Sequence, residues 1–228
     1  MMKCYNLRNA VLCLLFLLCF FNVKAQEMRA FGNYSMYFGN KNTGTIRSVE
    51  AGIDHGDFPS LAFQLSASYL NSDNKDKEHY DYDNYVLEKL STKGSAINTS
   101  LGLKVYNVFL NQYEEKTFTY YIMPKLNLAR IRATENFSST DYFYPSHSFD
   151  EERSISSWQV YFGIEIGYEI FLSENNSNSI AICASYNRIN LTKGLSKISH
   201  ENFQYARHDS FGVGLSFYLG VKKPSKKK

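Results

Sequence analysis

One stretch of this chain constrains its fold more than any other. In residues 158–171, Trp158, Val160, Phe162, Ile164, Ile166, Tyr168 and Ile170 alternate without a break with Gln159, Tyr161, Gly163, Glu165, Gly167 and Glu169. A period of two is the spacing of a β-strand with an apolar and a polar face. The last segment has the same form. Phe211, Val213, Leu215, Phe217, Leu219 and Val221 oppose Ser210, Gly212, Gly214, Ser216, Tyr218 and Gly220. Residues 61–69, 97–106, 118–129 and 180–187 alternate likewise, and residues 28–38 and 46–53 do so more weakly. Together they make eight segments.

The polar face decides what the alternation means. A soluble sandwich also alternates, with its apolar face inward, but its solvent face carries many long charged side chains. Here the polar face is rich in Gly and Ser with a few charges among them, and Lys104 and Lys125 both fall on it. Small residues beside chargeable ones suit the crowded interior of a narrow barrel whose outside is apolar. Connector lengths point the same way. Those after segments two, four and six (55–60, 107–116, 173–179) are short, whereas those after three, five and seven (71–94, 133–155, 192–204) are longer and polar. The first hairpin, near 39–44, is short where that rhythm calls for a long loop. Sorting by parity is what an up-and-down transmembrane barrel produces, with short turns on one side and long loops on the other. The expected fold class is all-β, an eight-stranded antiparallel up-and-down transmembrane β-barrel.

The N-terminus reads as an export signal spanning residues 1–25. Lys3 and Arg8 precede an apolar run over residues 10–21, and Val23, Lys24 and Ala25 lead to Gln26 as a cleavage site would. The barrel domain is then expected over residues 26–221, with a basic tail over 222–228. Loss of Lys3, Arg8 and Lys24 reduces the 25 basic residues to 22, equal to the 22 acidic ones. That balance gives no support to nucleic-acid binding, which wants a basic face. Three of the four cysteines lie in the signal, leaving Cys183 alone, so no disulfide framework is expected. The 18 Tyr and 17 Phe suit strands and membrane interfaces alike. No Gly-rich phosphate loop, His/Cys metal spacing or nucleotide fingerprint occurs, so neither a cofactor nor a metal is expected.

The export signal ending Val23-Lys24-Ala25-Gln26, the eight amphipathic segments and the terminal strand from Phe211 to Gly220 give a chain that resembles the small outer-membrane β-barrel proteins of Gram-negative bacteria. The resemblance is architectural and spans residues 26–221. Members of that family usually end on an aromatic residue, whereas this chain continues from Val221 to Lys228. The resemblance implies an integral protein of the cell outer membrane, of the porin-like or adhesin-like kind, in contact with outer-membrane lipids. Fold alone does not choose among the channels, anchors, adhesins and lipid-modifying enzymes of such a family.

Five charged positions are expected to face the lumen: Glu50, Lys104, Lys125, Glu165 and Glu169. Lys104, Lys125 and Glu165 belong to successive segments and could meet there. The expected role is a salt-bridge network filling a narrow interior, with a polar pore as its rival. The loops 71–94, 133–155 and 192–204 mix acidic residues with Tyr and Phe, which suits recognition of an extracellular protein or glycan. The expected function is therefore non-enzymatic, a structural or surface-recognition barrel. Its rivals are a narrow porin-like channel, a membrane-lipid acyl hydrolase using His208 and Ser210, and a soluble exported barrel that binds an apolar ligand. That last reading would place Lys104, Lys125 and Glu165 in water.

Overall fold

The computed structural model describes residues 27–39, 43–107, 118–172, 178–199 and 209–221. The signal segment, the lysine tail and His208 lie outside them. Among the described residues nine strands form, in order β1 (Glu27–Phe38), β2 (Ile46–Asp57), β3 (Leu61–Ser72), β4 (Lys75–Asp81), β5 (Val86–Tyr106), β6 (Phe118–Asp141), β7 (Phe149–Phe171), β8 (Ser179–Asn187) and β9 (Ser210–Gly220). All neighbours are antiparallel. β1 pairs with both β2 and β9, and β3 pairs with β5, so eight strands close into a ring and β4 stands outside it beside β5. Closure gives every ring strand two partners at the level of the barrel wall. A backbone surrounded by hydrocarbon needs that, because no water is present to satisfy an open edge.

The polarity of the wall is the reverse of a soluble protein's. On β7, Trp158, Val160, Phe162, Ile164, Ile166 and Ile170 are exposed on the outside, Phe162 by 70%. Glu165 and Glu169, from the alternate positions of the same strand, are buried within. Phe211, Val213, Leu215, Phe217 and Leu219 make the same outer face on β9, and Leu101, Leu126, Leu128, Leu65, Val49 and Ile182 continue it around the ring. Monomeric soluble proteins do not expose an apolar surface of that extent. This is the architecture of a transmembrane β-barrel, and no described helix is long and apolar enough to cross a membrane. The soluble alternative is corrected here, since Lys104, Lys125 and Glu165 point into the lumen and not into water.

Two of the expected loops are largely strands. The segment 71–94 contains β4 and the first part of β5, and 133–155 contains the end of β6 and the start of β7. There β4, β5, β6 and β7 run on beyond the apolar wall as a four-stranded sheet. At ~3.3 Å per residue, strands of 21 to 24 residues are about twice the length that crosses hydrocarbon. The sheet escaped the reading of the sequence because much of it is solvated on both faces, which removes the apolar alternation that betrays a strand. Cross-strand pairs hold it instead. Lys89 lies directly opposite Glu78 with an N–O distance of 3.0 Å, and Leu90 packs opposite Phe137 on the inner face.

Inside the wall, small residues make room for large ones. Gly167 faces inward under the ring of Tyr121, and a Cβ there would lie 2.2 Å from Tyr121 Cζ. Pro124 sits outward in mid-β6, and the β5–β6 ladder skips Leu103 and Lys104 opposite it, as the missing N–H requires. Gly167→Val should force Tyr121 from its site and destabilise the barrel by about 1–3 kcal/mol, the usual cost of overpacking. A lowered urea midpoint of the folded band on an unboiled gel would report it.

Candidate functional site: the luminal charge network and the outer sheet

The lumen is filled in layers. Next to the end that carries Glu27 and Gly220, β1 contributes Arg29, β2 Asp54, β5 Lys104 and β7 Glu169, all with fully buried side chains. Arg29 Nη1 donates to Glu169 Oε1 at 2.6 Å and Nη2 to Asp54 Oδ2 at 3.3 Å. Lys104 Nζ donates to Asp54 Oδ2 at 2.8 Å and lies 3.8 Å from Glu169 Oε2. Hydroxyls complete the shell. Tyr106 donates to Glu169 at 3.0 Å, Ser179 donates to it at 2.5 Å, and Tyr218 accepts from Lys104 at 3.0 Å. The guanidinium of Arg29 also stacks 3.7 Å from the centroid of Phe58. Two cations thus face two carboxylates, with hydrogen bonds on the remaining lone pairs, as buried ion pairs require.

A second layer lies farther along the barrel. Lys125 on β6 reaches Glu165 on β7 at 2.9 Å and Glu50 on β2 at 3.3 Å. Tyr121 donates to Glu165 at 2.7 Å and Ser66 to Glu50 at 2.5 Å. Asn98, Ser100 and Asn127 continue the polar fill, with Ser100 donating to Asn127 Oδ1 at 2.8 Å. Between these side chains remains a cavity of about 20 Å³, lined among others by Glu50, Lys125 and Glu165. That is room for a water-sized occupant at most.

The outer mouth is closed by the chain that follows β8. Ile189 and Leu191 are buried against Ile46, Leu70, Ala96 and Ile131, forming an apolar layer over the polar ones, and Leu195 is buried as well. Arg153 donates to the carbonyl of Ile198, Ser157 donates to that of Lys193 at 3.1 Å, and Gln159 donates to that of Arg188 at 3.1 Å. The backbone of Leu191 passes so close to Gly94 that a Cβ there would sit 2.5 Å from its carbonyl oxygen. The segment 192–204 was expected to be an outward recognition loop. Its described part, to Ser199, instead folds over the mouth, because Leu195 within it and Leu191 just before it are buried.

All five expected luminal residues lie inside the barrel, in two groups. Lys125 and Glu165 meet each other and Glu50, whereas Lys104 joins Glu169 in the other layer and does not reach Lys125's partners as an ion pair. Arg29 and Asp54 were missed. Both sit at the ends of the two weakest segments, where the alternation fades. Extending the inward parity of Phe31, Asn33 and Ser35 back to residue 29, and of Ser48 and Glu50 forward to residue 54, would have found them. Ser210 is buried and donates to the carbonyl of Asn187 at 3.2 Å. It faces the lumen, so it cannot act as a nucleophile at the bilayer surface as the hydrolase reading needs.

At the far end of the outer sheet the β4–β5 and β6–β7 hairpins join. The N–H of Tyr142 donates to Tyr85 O at 3.2 Å, Tyr85 and Phe143 meet edge to face at 4.6 Å, and Tyr80 contacts Tyr82 at 4.8 Å. Tyr82, Tyr142, Phe143 and Tyr144 remain largely exposed, Tyr82 by 80%. Asp81 caps its turn, accepting from the Asn84 side chain at 2.8 Å and from the N–H groups of Asn84 and Asp83. Those bonds hold its carboxyl below the ordinary value, the Asn84 side chain first among them. The acidic residues here hold turns and strand pairs, and no group of side chains among the described residues has the form of a metal site.

No family model matches the chain, and no protein of curated function does. Among solved structures it is similar to Neisserial surface protein A, at 11% identity and a TM-score of 0.46 over 86% of this chain and 97% of that one. It is also similar to the attachment invasion locus protein Ail of Yersinia pestis, at 7% identity and 0.39 over 86% and 100%. CarO2 of Acinetobacter baumannii gives 9% and 0.40 over 85% and 98%. Likenesses this slight carry no weight for the role of this chain, and its barrel rests on its own strand pairing.

Lys125→Met would leave Glu50 and Glu165 buried without their cation. A loss of about 3–5 kcal/mol in unfolding free energy is expected, the usual cost of breaking a buried pair from one side. Adding Glu50→Gln and Glu165→Gln should recover much of it, measured in the same denaturant titration.

Proposed function

We propose that this protein is an integral barrel of the Gram-negative outer membrane that works by surface recognition through its outer sheet, and not by conduction or catalysis. The reversed polarity of the wall carries the membrane part of this reading, because only hydrocarbon accommodates an apolar exterior around a charged interior. The outer sheet supports the rest. It lifts Tyr82, Tyr142, Phe143 and Tyr144 clear of the wall on a paired, rigid platform. Exposed Tyr and Phe offer large contact area at little cost in side-chain entropy, which suits binding of an extracellular protein or the apolar face of a glycan.

The channel alternative has less support. An ion would have to pass the Arg29–Asp54–Lys104–Glu169 layer, the Lys125 layer and the apolar mouth in turn. Glu50, Lys104, Lys125, Glu165 and Glu169, with Arg29 and Asp54, are proposed as a structural brace.

Three outcomes follow from this reading. The detergent-extracted protein should migrate faster unboiled than boiled, with Ile164→Arg destabilised by about 2–4 kcal/mol and Thr140→Arg by no more than about 0.5 kcal/mol. Planar bilayers containing the purified protein should show no steady single-channel current. A Tyr82→Ser/Tyr142→Ser/Phe143→Ser variant should keep its fast-migrating band yet lose adhesion of protein-coated beads to the host or environmental surface that the wild type binds. Equal adhesion by both would remove the crest from the account.

A further inference from the structure

We propose that the outward face of β5, β6 and β7, just beyond the apolar belt, binds the phosphorylated headgroup of a lipid in the surrounding leaflet through Lys93, Arg130 and Arg132. This rests on the membrane reading above.

The strand register places the three cations together. Arg130 lies opposite Ile97 on one side and Trp158 on the other, Arg132 opposite Ser95 and Ser156, and Lys93 opposite Thr134. Residues two apart on adjacent rows of one sheet face lie within reach of long side chains. All three are exposed, and all point outward where the wall changes from apolar to polar. Ile97, Leu128, Trp158 and Val160 bound them on the membrane side.

Several other cations on the outer part of the molecule have a counter-ion. Arg47 pairs with Asp73, Lys89 with Glu78, Arg153 with Glu151 and Arg188 with Asp209. Lys93, Arg130 and Arg132 form no ion pair among the described residues. Leaving three adjacent cations unneutralised costs stability through their mutual repulsion, unless an anion joins them. Two shallow adjoining hollows accompany them. One, of about 490 Å³, is lined by Lys93, Ser95, Arg132 and Thr134, and the other, of about 450 Å³, by Arg130, Arg132, Ser154 and Ser156, with Tyr69 and Ser95 shared. Among the lining residues the only carboxylate is Glu152, at the outer edge opposite Asn136.

The chemistry selects phosphate. Two guanidinium forks suit tetrahedral phosphate oxygens, the ammonium adds a point charge, and the serine and threonine hydroxyls supply neutral donors. Position selects a lipid over a soluble anion. A ligand carrying both phosphate and hydrocarbon meets the cations and the belt together, whereas a soluble anion meets only the cations. Basic residues next to a membrane surface draw anionic headgroups in this way.

The test uses the full chain and a Lys93→Gln/Arg130→Gln/Arg132→Gln variant, each in neutral phosphatidylcholine nanodiscs. The probes are bisphosphorylated lipid A, the same lipid with its phosphates removed, and inorganic pyrophosphate, with bound species counted by native mass spectrometry. The wild type should retain the phosphorylated lipid over the dephosphorylated one on the order of tenfold or more, given three cations at the headgroup. The variant should lose that preference while keeping its fast-migrating unboiled band. Equal retention of the two lipids by the wild type, or an undiminished preference in the variant, overturns the site and leaves the barrel intact. Binding of pyrophosphate with no lipid preference overturns the assignment to a lipid. A wild type that enters no nanodisc and shows no fast-migrating band overturns the membrane reading, and this proposal with it.

Discussion

Charges enclosed by a wall whose outside is hydrocarbon have only each other for solvent, and the rest of this structure depends on how they meet that demand. Arg29 on β1 reaches Glu169 on β7 and Asp54 on β2, and Lys104 on β5 reaches Asp54 and Tyr218 on β9. Backbone ladders connect each strand only to its neighbours. Arg29 and Asp54 lie opposite each other on neighbouring strands, but the other contacts connect strands across the ring, in the direction that the ladders leave free. The second layer repeats the device from β2 to β6 and β7 through Glu50, Lys125 and Glu165.

Crowding follows from the same demand. Eight strands enclose little more than side chains can fill, so each large polar group needs a small inward neighbour. Gly167 yields to Tyr121 in this way, and Gly94 yields to the backbone of Leu191. Closure of the mouth by Ile189, Leu191 and Leu195 adds an apolar lid to an interior already neutralised below it. With the interior filled, the outer surfaces remain, and the proposed recognition role falls to them. Those surfaces differ sharply, with an apolar belt, an unneutralised basic patch at its edge, and an aromatic crest beyond.

The strands that face hydrocarbon on one side and packed polar groups on the other were legible from their residues. Trp158 to Ile170 and Phe211 to Leu219 each put one chemistry on each face. Glu50, Lys104, Lys125, Glu165 and Glu169 were legible as inward for the same reason of parity. Their partners were less so, because pairing depends on how the ring closes: Lys104 on β5 meets Asp54 on β2, two positions away around the ring. The outer sheet was illegible for a different reason. Lys75 to Asp81 and Ser138 to Asp141 are wetted on both faces, so nothing in their hydrophobicity marks a strand, and they are held by backbone pairing with β5 and, on β4, by the ion pair of Glu78 with Lys89. Ile189, Leu191 and Leu195, apolar residues in or beside a connector read as a polar loop, are the trace of the plug that went unread.

The most direct test of this account is the environment of alternate positions on β7. Single spin labels placed in turn from Val160 to Ile170, in a Cys183→Ser background reconstituted in bilayers, report collisions with oxygen from the lipid and with a water-soluble nickel chelate. The account predicts oxygen maxima at Val160, Phe162, Ile164, Ile166, Tyr168 and Ile170, with low values for both reagents at the residues between. Maxima of opposite phase, or nickel access at Ile164 and Ile166, would contradict an apolar exterior and a packed charged interior.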